Sequence, residues 1–142
     1  ARAYARLAAL YAVALNADTV EFDAAVAAAE KFALRAAQLD PSLAEPHAVL
    51  GLVFRYQRKH RESNSAFARA LALEPDDVTA NFWWAITQTQ AGYRRQGIIA
   101  LDRTLQLDPL LPNALLWRGR GPVAVIPRAA VPGHTNMPAS PP

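Results

Sequence analysis

A three-residue phrase recurs three times in this chain, and its spacing constrains the fold more than any other feature. Leu39-Asp40-Pro41, Leu73-Glu74-Pro75 and Leu107-Asp108-Pro109 place their prolines 34 residues apart on both intervals. Each phrase closes an Ala/Leu-rich run of helical periodicity, and another such run follows within a few residues. A fixed period of this size means one supersecondary unit repeated along the chain. Such a period defines an architecture before it says anything about a ligand.

Aligned on those prolines, the units begin near Ala44, Val78 and Pro112, and the columns of the alignment are informative. In the first helix of each unit one column is small: Gly51, Ala85, Gly119. Twelve residues later, in the second helix, Ser63 and Gly97 share a column, with Ala29 at the matching place upstream. Small residues at facing positions let two helix axes approach closely. Large apolar residues fill the flanking columns (Leu50 and Trp84, Phe54, Phe67 and Leu101), and Ala36, Ala70 and Thr104 form a third small column.

These columns resemble the tetratricopeptide repeat (TPR), a 34-residue helix–turn–helix unit. Leu50-Gly51, Phe54, Phe67, Ala70 and Pro75 of the second unit match best, whereas the third departs with Trp84-Ala85 and Gln88. The resemblance covers residues 1 to about 118 and implies an all-α TPR-type helix–turn–helix solenoid of about three repeats plus one orphan helix. The expected units lie near 1–43, 44–77 and 78–111, with the orphan helix at 112–118. Tyr4, Leu7, Ala8 and Tyr11 repeat the first-helix spacing, so the first unit is about nine residues longer than the others. The extra length falls around Ala17 to Asp23. Asp18-x-x-Glu21 and Ser42-x-x-Glu45 read as capping boxes, and Asp76 and Asp77 put negative charge at a helix N-terminus. From Gly119 to Pro142 come six prolines and no helical periodicity, which predicts an extended or disordered tail.

Composition narrows function mainly by exclusion. The chain has 142 residues, 52% hydrophobic, enough for a core, and no apolar run long enough to span a membrane. Without Cys there are no disulfides and no thiolate metal sites, which suits the cytoplasm. The absence of an initiator Met or leader pattern makes the chain read as a fragment of something longer. The net charge of +3 divides unevenly: Arg120 and Arg128 lie in the acid-free last 24 residues, leaving 13 basic and 12 acidic residues elsewhere. Net charge therefore gives nucleic-acid binding no support. His47 sits in a packing column, and no two histidines share a helical face at metal-ligand spacing. No Gly-rich phosphate loop is present. Neither an enzyme nor a cofactor is expected.

The resemblance implies where partners bind: first-helix positions 2, 5, 6, 9, 12 and 13 of each unit face a concave groove. These are Arg2, Ala5, Arg6, Ala9, Ala12 and Val13, then Glu45, Ala48, Val49, Leu52, Arg55 and Tyr56, then Thr79, Phe82, Trp83, Ile86, Thr89 and Gln90. The orphan helix adds Asn113, Leu116 and Trp117. In one reading Phe82, Trp83, Trp117 and Tyr56 form an apolar platform flanked by Arg2, Arg6 and Arg55, the residue types that anchor protein recognition. In the other, Trp83 and Trp117 fill space between units and the arginines are solvated. The family's clamp for C-terminal carboxylates is not expected, because position 6 holds Arg6, Val49, Trp83 and Trp117 and never Asn. A second feature is a basic edge of Arg58, Lys59, Arg61, Arg94 and Arg95 on stacked turns, which could meet an acidic protein or nucleic-acid phosphates, or merely be solvated.

Three functions follow: capture of a peptide or partner protein, self-association through the last helix, or nucleic-acid contact along the basic edge. The run from Leu39 through Gly51 is also similar to C-terminal repeat regions of bacterial signalling proteins, among them nucleotide cyclases and winged-helix regulators. That resemblance would place an effector domain upstream of Ala1.

Overall fold

The computed structural model describes residues 1–15 and 21–119. Among them run seven helices: α1 (Arg2–Ala14), α2 (Phe22–Leu39), α3 (Ala44–Tyr56), α4 (His60–Leu73), α5 (Val78–Gln90), α6 (Arg94–Leu107) and α7 (Pro112–Gly119). Consecutive helices pair as α1/α2, α3/α4 and α5/α6, and these hairpins stack, α3 lying against both α1 and α5 and α6 against α7. The chain is an all-α helical-repeat solenoid. The residues expected to form the proline-rich tail lie outside the described part, except Gly119, which ends α7.

The small columns do what close helix approach requires. A Cβ on Gly51 would stand 2.7–2.8 Å from the Phe67 ring carbons, so the fully buried Phe67 packs directly on the α3 backbone. Burial of such a side chain contributes about 1.5–3 kcal/mol. Ser63, also fully buried, donates its hydroxyl to the Gly51 carbonyl at 2.7 Å, so its polar atom is satisfied. In the next hairpin, a Cβ on Gly97 would lie 3.0 Å from the Thr89 amide nitrogen and 3.1 Å from the Ala85 carbonyl oxygen. At Gly119 the same test meets nothing within 4 Å, as suits a helix with no partner on that face among the described residues.

The main core spans the first two hairpins, from Ala8 and Ala12 through Val26, Ala29 and Ala33 to Val49, Leu50, Val53 and Phe67. Ala48, Ala70 and Ala80 join α3, α4 and α5, and Ala85, Ala100, Leu101 and Ala114 join α5, α6 and α7. Alanine dominates the interfaces, so the helices approach closely with little side-chain volume between them.

The helix starts depart from two expectations. Leu43, not Ser42, is the N-cap of α3 and makes no side-chain cap bond. Ser42 instead gives its amide and its hydroxyl to the Asp40 carboxylate, at 3.0 and 2.6 Å, a local turn that competes with capping. Helix α2 begins at Phe22 with Glu21 at the N-cap, again without a cap bond; Asp18 lies outside the described residues. Asp77 does cap α5, its carboxylate accepting the Ala80 amide. The α3–α4 and α5–α6 turns close alike. Arg58 and Lys59 donate their amides to the carbonyls of Arg55 and Phe54, and Gly92 and Tyr93 donate to those of Thr89 and Gln88. The left-handed residue is Gly92 in one turn (φ 91°) and Arg58 in the other (φ 61°), where a side chain costs about 1 kcal/mol.

Candidate partner-binding groove

Helical periodicity puts Arg2, Ala5, Arg6, Ala9 and Val13 on one face of α1. That face looks across the starts of α3 and α5 and encloses with them a groove of about 510 Å³. Ala44, Glu45 and Ala48 of α3 and Thr79 and Trp83 of α5 complete it, with Leu43, Glu74 and Asp77 from the connections. The floor is small: Ala5, Ala44 and Ala48 are buried to within 4% of complete. No bulky side chain rises from it, so another chain's backbone can approach it closely.

The charges of this groove are divided. Arg2 and Arg6, both exposed, stand on α1, while Glu45, Glu74 and Asp77 stand on the side of α3 and α5. Among the described residues the ion pairs are Arg103–Asp76 and Arg118–Asp102, neither of them in the groove. Asp77 has one oxygen engaged by the α5 cap; among the described residues the Arg2, Arg6, Glu45 and Glu74 side chains form no ion pair. Trp83, half-buried, forms the aromatic flank and packs beneath on the α1–α4 core.

Of the positions expected to face a partner, the structure gathers Arg2, Ala5, Arg6, Ala9, Val13, Glu45, Ala48, Thr79 and Trp83 in this groove. Phe82 and Trp117 pack instead against Ala85, Ala100, Leu101 and Ala114, and Ile86 is buried. Gln90 is exposed at the end of α5, and Leu116 is 49% exposed on α7. Arg55 and Tyr56 lie at the other end of α3. There the guanidinium stands 4.4 Å over the Tyr56 ring, which in turn meets Phe22 edge-on at 5.1 Å. Burial pushes the Arg55 pKa down, while the ring face offers compensation. The sequence reading missed Leu43, Ala44, Glu74 and Asp77. The available signal was that each connecting phrase delivers the chain to the start of the next first helix, and hence to the groove rim.

On the basic edge, Arg58, Lys59, Arg61, Arg94 and Arg95 are all exposed, and the Lys59 ammonium stands 5.6 Å from the Phe54 ring centre. His47 is half-buried, its Nε2 3.3 Å from the Pro41 carbonyl oxygen. Among the described residues no group of His, Cys, Asp or Glu side chains is arranged to hold a metal ion, and no helix is long and apolar enough to cross a membrane.

Comparison with known proteins agrees at the level of fold. The chain is similar to the solved structure of an O-GlcNAc transferase mutant from Thermobaculum terrenum, with a TM-score of 0.68 and 21% identity. The match covers 82% of this chain and 22% of that one, so the chain spans less than a quarter of the transferase's length. No family model and no curated protein matches the sequence. The fold is therefore a TPR-like helical repeat.

Proposed function

We propose that the chain is a protein-interaction scaffold that holds a peptide or a segment of a partner protein in the groove between α1, α3 and α5. One observation carries the reading: three parallel-stacked first helices build a single groove with a smooth alanine floor, a half-buried tryptophan and available charged side chains. In this reading the scaffold works without chemistry of its own. A cytoplasmic setting and a larger bacterial signalling protein as parent, a nucleotide cyclase or a winged-helix regulator, fit this role.

A photo-crosslinking residue at Thr79, in the groove, is expected to capture a defined partner in cells; the same residue at Ala68, exposed on α4, is expected not to. Trp83→Ala should remove the Thr79 product and leave helical content unchanged. Equal capture from both positions would refute groove binding. The runner-up, self-association through α7, rests on Leu115 and Leu116, each about half exposed (48% and 49%). It predicts a molar mass that rises with concentration and is reset by Leu116→Asp.

A further inference from the structure

The groove selects by charge order as well as by shape. Its basic wall is carried by α1 through Arg2 and Arg6, its acidic wall by Glu45 and Glu74 with Asp77, and none of these is in an ion pair with the other wall. Unpaired opposite charges across a floor of buried alanines leave both walls dependent on what enters between them. A uniformly acidic segment would be repelled at the α3–α5 side, and a uniformly basic one at α1. Repulsion of this kind discriminates as strongly as attraction.

Resting on the groove reading above, we infer that the occupant is an extended segment of opposed charge. Its acidic end lies along α1 and its basic end at the start of α5. Two interhelix steps of about 8–10 Å separate α1 from α5. An extended chain covers that in about five to six residues at ~3.3 Å each, which fixes the spacing between the two charged ends. The small floor asks for small or β-extended side chains between them, and Trp83 offers a flat surface beside the basic end, where a lysine or arginine can lie against its ring.

The test uses the full chain and four capped, fluorescein-labelled octapeptides with a common Ala-Ser-Val-Ala centre. One has two glutamates at its start and two lysines at its end; the others carry four glutamates, four lysines or four serines at those places. Fluorescence anisotropy is expected to show the mixed-charge peptide binding at least about fivefold tighter than each of the others at low salt, with the margin shrinking as salt screens it. Arg2→Gln with Arg6→Gln should cost the mixed peptide about threefold to tenfold and relieve the rejection of the four-lysine peptide. Glu45→Gln with Glu74→Gln should do the converse; Asp77 is spared because it caps α5. If the mixed peptide binds no better than the other three, including not at all, the charge-order inference is overturned. Should all four bind alike and all be lost in Trp83→Ala, groove binding stands while the charge order falls. Binding that ignores Trp83→Ala and both charge variants overturns the two together.

Discussion

The second and third hairpins share a backbone plan but are held together differently. In α3 the buried positions are almost wholly apolar: Ala44, Pro46, Ala48, Val49, Leu50, Gly51, Leu52 and Val53. In α5 half of them are polar, Asn81, Thr87 and Gln88 joining Ala80, Ala85 and Ile86. Each polar group finds a partner. The Asn81 amide donates to the carbonyls of Pro75 and Asp77, Thr87 and Thr89 donate to the carbonyls four residues back, and Gln88 donates to Asn64 at 3.1 Å. Satisfied polar groups escape the penalty of burial, but each hydrogen bond contributes only about 0.5–1.5 kcal/mol net, and a threonine bonded to its own helix gains nothing across the interface. The second hairpin is packed by volume; the third is kept in place by satisfying its polar atoms. In a repeat array each unit depends on its neighbours, so this difference makes the second hairpin the anchor and the third the softer end.

The largest expected effect tests that ranking directly. Phe67→Ala empties the most voluminous fully buried site and should cost about 3–5 kcal/mol. Leu101→Ala, in the same column of the third hairpin and 2% exposed, removes less volume from a smaller cluster and should fall near the lower end of its range, about 2 kcal/mol. Urea unfolding followed by circular dichroism gives both values. Leu101→Ala costing as much as Phe67→Ala would break the comparison.

A smaller effect sharpens it. Gly97→Ala puts a methyl group against the Thr89 hydroxyl and within 3.0–3.1 Å of backbone atoms of α5. Overpacking costs about 1–3 kcal/mol, against a gain of about 1 kcal/mol from replacing a helical glycine, so a net loss of up to about 2 kcal/mol is expected. Adding Thr89→Ala should recover only part of it, because the Thr89 nitrogen and the Ala85 carbonyl remain. Gly119→Ala, which meets nothing, serves as the control and should not destabilise. Equal midpoints for the Gly97 and Gly119 variants would show that the α5–α6 approach is not set by this contact.

Much of this architecture was legible because it repeats. The 34-residue interval gave the hairpins, and the small columns gave the facing contacts at Gly51, Ser63 and Gly97. The Ser42 capping box misled, since a Ser-x-x-Glu pattern cannot show that the serine hydroxyl has a nearer acceptor in Asp40. The groove was half legible. Arg2, Arg6 and Trp83 follow from the groove positions that the repeat resemblance implies, but Glu74 and Asp77 belong to connecting phrases whose local role is to stop one helix and start the next. Only stacking carries them across from α1, and no spacing within one unit reports on that. Phe82 and Trp117 turn toward the α5–α7 cluster because the last hairpin has little other apolar volume to bury.

The three connecting phrases offer the finest comparison and the smallest effect. At Asp108 the carboxylate accepts one amide, that of Leu110 at 3.2 Å. At Asp40 it accepts both the amide and the hydroxyl of Ser42. The hydroxyl, then the amide, hold the Asp40 pKa below its ordinary value, with smaller help from the amino terminus and Arg2. The carboxylate is thus easier to keep ionised in the folded chain than in the unfolded one, whose aspartates titrate near about 3.9. Its contribution to stability is fully present above that pH and is lost as the pH falls through the lower folded value. Ser42→Ala removes the main cause and should lower the urea midpoint slightly at pH 7, the gap from the parent closing as the pH drops below 3.9. A gap that is constant or widens on acidification would mean that Ser42 acts by some route other than the ionised carboxylate. The equivalent change at Leu110, Leu110→Ala, leaves the amide donor in place and should show no such pH dependence.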